Sequence, residues 1–145
     1  MKIKTHFISK VIDTDIETLF KLVSDFDQYK KWNSVIPDAK GKFEVGTELQ
    51  LTMKIDGKNK PFNPKIIAIV PNKSFLLSKT LLSKNIFELS HQFDFKSLKN
   101  NQTEFTQTWK GQGIVAVLIW EKIRKEFSSF EKFNDDILKY INTKE

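Results

Sequence analysis

Along residues 2–12, Ile3, Thr5, Phe7, Ser9 and Val11 share one parity, and Lys2, Lys4, His6 and Lys10 share the other, with Ile8 the exception. Period two predicts a strand with one wet face, and the apolar count places His6 on the wet, surface side. A polar side chain at Asp13 or Thr14 can cap a helix, Glu17 suits its first turn, and Ile16, Leu19, Phe20 and Val23 recur at helical spacing as far as Asp25. A second short helical turn is predicted over 26–31. Gly41 and Gly46 bracket a short strand. Leu49, Leu51, Met53 and Ile55 then alternate with Gln50, Thr52, Lys54 and Asp56. Asp56-Gly57 is a hairpin signal, with residues 58–61 expected to lengthen the loop. Pro61 and Pro64 confine the next strand to an edge or a bulge. The apolar run 66–70, the Pro71-Asn72 turn and a strand over 74–80 follow.

The stretch 86–96 is more telling. Phe87, Leu89, His91, Phe93 and Phe95 share one face, so His91 points with four large apolar side chains. After a turn at Lys99-Asn100-Asn101, Thr103, Phe105, Gln107 and Trp109 form a second inner face that also carries a polar group. Gly111 and Gly113 close that strand. From Ile114 to about Asn142 neither glycine nor proline occurs. Ala116, Trp120, Ile123, Phe127, Phe130, Asn134, Ile137 and Ile141 repeat there at spacings of three and four, which predicts one long amphipathic helix.

The order is strand, two short helices, further strands, then a long helix. It predicts an α+β fold with an antiparallel sheet of about six or seven strands, connected by turns. The sheet's apolar face and the helix's apolar stripe must cover each other. If the sheet bends strongly round the helix, space remains between them, and its filling decides function.

The chain has 145 residues, 39% of them hydrophobic, which suits a single domain over 1–145 with its own core. Cysteine is absent, which excludes disulfides, thiolate catalysis and cysteine-bound zinc. No apolar run is long enough to span a bilayer, and the N-terminus lacks signal-peptide character. A cytoplasmic protein is expected. Net charge is +6, but Arg124 is the one arginine among 24 basic residues, and the lysines are dispersed. Specific nucleic-acid recognition, which favours arginine, is therefore not expected.

Four segments resemble motifs of the helix-grip superfamily, which includes START domains, birch-pollen-allergen-like proteins and polyketide cyclases/dehydrases (SRPBCC). They are the run from Ile12 to Phe20 with Asp25-Phe26, the run from Tyr29 to Ile36 (similar to YPxWNPFI), the run from Gly41 to Leu49 (similar to GxxxVGxxL), and the run from Phe130 to Lys139 (similar to FxxMNxALK). His91-Gln92-Phe93 stands where many members have HxF. There are departures: Ser34 replaces the proline after Trp-Asn, Asn101-Gln102-Thr103 replaces GGT, and Thr14-Asp15 replaces alanine–proline. The resemblance covers nearly the whole chain. It implies a helix-grip fold with a curved sheet round the C-terminal helix, and it places Trp32 near the mouth of any cavity. The superfamily hosts transporters, hormone receptors, cyclases and co-chaperone domains, so fold alone does not choose a function.

Phosphate-loop, HExxH and GxSxG motifs are absent, and two histidines make a histidine-rich metal site improbable. No metal or cofactor is expected. Trp32, Met53, Phe87, Leu89, His91, Gln107, Trp109, Trp120, Phe127 and Phe130 are the candidate ligand-binding residues: apolar walls with sparse polar groups. Each aromatic is equally consistent with solid core. Gln107 either orients a ligand or bonds to His91. The leading expectation is carriage or sensing of a small hydrophobic molecule such as a lipid, isoprenoid or polyketide. The alternatives are a cyclase/dehydrase-type enzyme with His91 as proton carrier, and a basic interaction module for protein, anionic membrane or RNA.

Overall fold

Strands β7 (Phe87–Ser97) and β8 (Thr103–Gln112) form the middle of the main sheet, and their alternating side chains set its inner face. The computed structural model describes residues 2–143; the outermost ends of the domain expected over 1–145 lie outside them. The preceding elements are β1 (Ile3–Ile12), α1 (Ile16–Ser24), a 3-10 turn (Phe26–Gln28), α2 (Tyr29–Trp32), β2 (Asp38–Lys40), β3 (Gln50–Ile55), β4 (Lys58–Phe62), β5 (Lys65–Val70) and β6 (Ser74–Leu81). After β8 come α3 (Ile114–Phe127), a 3-10 turn (Ser128–Phe130) and α4 (Glu131–Thr143). All pairings are antiparallel. Five strands run β1-β8-β7-β6-β5, and three run β2-β3-β4. An isolated bridge, Glu48 to Lys65, joins the two sheets. The architecture is α+β, with a long C-terminal helix packed on β1, β7 and β8 and two short helices after the first strand.

The face of β1 is the reverse of the expected one. Ile3, Phe7 and Val11 are exposed, whereas Ile8 and Ile12 are buried and His6 is half-buried. Register is the physical reason. His6 lies opposite Trp109, Ile8 opposite Gln107 and Ile12 opposite Thr103. Directly opposed residues share a face, and β8 turns those three inward.

Three local features also differ from expectation. The cap of α1 is Asp15, whose Oδ2 accepts from Thr18 N at 3.0 Å and whose Oδ1 accepts from Thr18 Oγ1 at 2.7 Å. The β3–β4 hairpin closes in two residues. Asp56 and Gly57 have φ of 52° and 76°, both positive as a type I′ turn requires, so Lys58 already pairs with Ile55 and the loop is not lengthened. The C-terminal helix carries a 3-10 turn at 128–130 instead of running uniformly. Pro61 sits in β4, an edge strand where its missing N–H costs no ladder bond.

Gly113 starts α3 with φ of +98°, and a Cβ there would lie 2.5 Å from the carbonyl carbon of Ile86. That close approach lets Ile114 N and Val115 N donate to the carbonyls of Asn85 and Ile86 at 3.0 and 2.9 Å. The loop 82–86 is thereby fastened to the start of α3. At the other end, Ser34 N and Ser34 Oγ both donate to Asp136 Oδ2 at 2.7 Å, joining the segment after α2 to α4. A proline at position 34 supplies neither donor.

Candidate functional site

One row of inward side chains crosses the main sheet: Leu77, His91, Trp109 and His6 are successive cross-strand partners. The His91 ring stacks on Phe93 at 4.0 Å and on Trp109 at 4.4 Å, and Phe130 meets it edge-on at 5.4 Å. Trp109 stacks in turn on Phe127 at 4.8 Å. Between this row, α3 and the β3–β4 hairpin lies a cavity of about 170 Å³. Met53 and Leu89 add aliphatic walls, and Lys60 and Glu126 stand at its edge. Lys60 Nζ is 2.7 Å from Glu126 Oε1, so an ion pair links β4 to α3 there.

The polar part of the wall is a relay. Gln107 Oε1 lies 2.9 Å from His91 Nε2, and Gln107 Nε2 donates to Asn134 Oδ1 at 3.1 Å. With the amides assigned in this sense, His91 Nε2 carries the proton and donates, leaving Nδ1 as an acceptor. Burial disfavours the imidazolium and lowers the His91 pKa to about 3, against a weaker opposing pull from the Gln107 bond. His91 is therefore neutral around pH 7. Asn134 is fully buried, and its Nδ2 has no partner among the described residues. Of the two readings open for Gln107, the bond to His91 is the one present.

Six of the ten candidates border the cavity: Met53, Leu89, His91, Trp109, Phe127 and Phe130. The other four lie elsewhere. Gln107 is fully buried behind His91. Trp120 packs on Gly111 and Phe127. Phe87 stands near the far end of β7, opposite Leu81. Trp32 plugs the α2–α4 end of the core, against Tyr29 at 5.0 Å and Phe133 at 5.4 Å, and does not reach the mouth. Sequence reasoning missed Ile36, Ile55, Phe62 and Leu77, which also line the space. Ile55 and Leu77 fall on parities that the strand patterns display. Ile36 comes from a loop, where periodicity gives no signal. Among the described residues no cluster of three or more His, Asp or Glu side chains could hold a metal, and no helix is long and apolar enough to cross a membrane.

A sheet closing on a terminal helix over a lined cavity defines a helix-grip protein of the START-like class. The sequence model of the family described as Activator of Hsp90 ATPase homolog 1-like protein matches residues 13–127, and the chain belongs to that family. Solved structures agree on the fold. A START superfamily protein from Mycobacterium smegmatis superposes with a TM-score of 0.75 at 15% identity, covering 97% of this chain and 99% of that one. A Staphylococcus aureus protein of unknown function gives 0.71 at 13% identity, covering 99% and 96%. A Streptomyces aromatase/cyclase gives 0.68 at 9% identity, covering 95% and 90%. No curated protein matches the sequence significantly.

Proposed function

We propose that the protein binds a small, largely apolar molecule between the sheet and α3, to carry or sense it. The observation that supports this most strongly is a space of about 170 Å³ walled by aromatic and aliphatic side chains, with the neutral His91 as its polar contact. Apolar cavities of about 150 Å³ admit benzene, whereas sites for drug-sized ligands run to about 300–1,000 Å³. A single ring or a short branched chain fits within. A larger isoprenoid or polyketide would leave most of its body outside, past Lys60 and Glu126. Because the His91 imidazole lines the space, a ligand with a hydroxyl, such as a phenol, is favoured over the bare hydrocarbon.

The experiment is a titration of tryptophan fluorescence with p-cresol and toluene. Saturable quenching, tighter for p-cresol and abolished by Leu89→Trp (which fills the space), is the expected result. Absence of saturable change with either compound overturns the proposal. Catalysis with His91 as proton carrier is the weaker reading. A histidine whose pKa burial lowers to about 3 takes up protons poorly near neutral pH.

A further inference from the structure

The first two turns of α3 expose aliphatic side chains that a helix covering a sheet has no structural reason to carry outward. Leu118 is 79% exposed, Ile114 64%, Val115 41% and Ile119 38%. Beside them, on the loop fastened to the start of α3, Leu82 is 94% exposed, and Leu81 at the end of β6 is 50% exposed. Leu82 holds φ of +68°, a left-handed conformation that favours glycine or asparagine and is unfavourable for leucine. The fold thus accepts strain to present a bare leucine at a loop tip.

Charge identifies the occupant. Lys84 lies on the same loop, and Lys122 continues the exposed apolar face of α3 by one turn beyond Leu118; both are exposed. The carboxylates nearby are already engaged. Glu121 accepts from Arg124 at 2.8 Å, Glu126 pairs with Lys60 at 2.7 Å, and Glu88 accepts from Thr80 and Gln112. A patch of leucine, isoleucine and valine edged with lysines that have no ion-pair partner among the described residues, on a chain of net charge +6, complements an anionic apolar boundary. Two copies facing each other through it would bring like charges together. A protein partner would more typically meet tryptophan, tyrosine or arginine, and the six apolar residues include none.

We propose that the start of α3 and the loop 82–86 form a docking surface for a bilayer containing anionic lipid, with Leu82 and Leu118 inserting and Lys84 and Lys122 contacting headgroups. The surface is separate from the cavity, although Ile119 and Ile123 follow each other by one turn and lead from it to the cavity wall. Docking therefore stands or falls independently of ligand binding.

The test is co-sedimentation of the full chain with vesicles of phosphatidylcholine alone and of phosphatidylcholine mixed with phosphatidylglycerol. Binding to the mixed vesicles, weakened by added salt, is expected. Lys84→Glu with Lys122→Glu should reduce it at least about fivefold per lysine. Leu82→Asp with Leu118→Asp should reduce it about a hundredfold. Both double variants should keep the wild-type p-cresol titration and circular dichroism, which separates lost docking from lost folding or an altered cavity. Three results would overturn the proposal: equal binding to neutral vesicles, unchanged binding by the well-folded lysine variant, or a concentration-dependent dimer in sedimentation that Leu118→Asp dissociates.

Discussion

Lys60 Nζ and Glu126 Oε1 meet at 2.7 Å, and this contact between an edge strand and a helix stands beside the cavity. Both side chains keep access to water, so the pair adds little to stability, at most about 1 kcal/mol. Its effect should instead be kinetic. In Lys60→Met the urea midpoint should stay nearly constant while p-cresol enters and leaves several-fold faster in stopped-flow fluorescence. Unchanged rates would show that ligands pass elsewhere.

The relay His91–Gln107–Asn134 is buried throughout, and each deletion strands what remains. Gln107→Leu leaves the His91 N–H and the Asn134 carbonyl unpaired, at about 1–3 kcal/mol for each group. Urea denaturation should show a loss of about 2–6 kcal/mol. Adding Asn134→Leu should return part of it, because one stranded amide disappears. Strict additivity of the two losses would argue that the residues do not couple.

Acid should weaken the fold through His91. Burial lowers its folded pKa to about 3, below the unfolded value near 6.5. Between these values the unfolded chain holds the extra proton, so stability is full above about pH 6.5 and falls as pH drops towards 3. The slope from this group is up to about 1.4 kcal/mol per pH unit. Half-buried His6, its pKa lowered by burial and by the nearby Arg124, acts in the same direction. His91→Gln should flatten the pH dependence of the urea midpoint below pH 6.5. An identical slope in wild type and variant would contradict the assignment.

Leu82 should be replaceable at a gain. Asparagine tolerates a φ of +68° better than leucine does, so Leu82→Asn should raise stability by about 0.5–1 kcal/mol. A thermal melt measures this directly. A loss of stability would mean that the leucine makes a compensating contact.

How much was legible depended on whether a residue's surroundings are local in sequence. The inner faces of β7 and β8 follow from period two, and that alone set His91 and Gln107 on the same side as Phe93 and Trp109. The α3–α4 stripe followed from period 3.6. The face of β1 did not, because Ile3, Phe7 and Val11 outnumber Ile8 and Ile12. Only pairing with β8, about a hundred residues away, decides it. Trp32 lies against α4 for the same kind of reason: Phe133 and Tyr140 reach it from the far end of the chain. Asn134 stood on the stripe as one more helical position, and its bond to Gln107 appears only after the helix is laid on the sheet.

The 3-10 turn at Ser128–Phe130 divides the terminal helix into two bodies with separate anchors. α4 is tethered by Asp136 to Ser34 and by Asn134 to Gln107, whereas α3 is fastened at its start to the loop 82–86. The two halves thereby hold different parts of the molecule: α4 joins the segment after α2 to the relay behind His91, whereas α3, tied also to β4 through Glu126 and Lys60, lends Ile123 and Phe127 to the cavity wall.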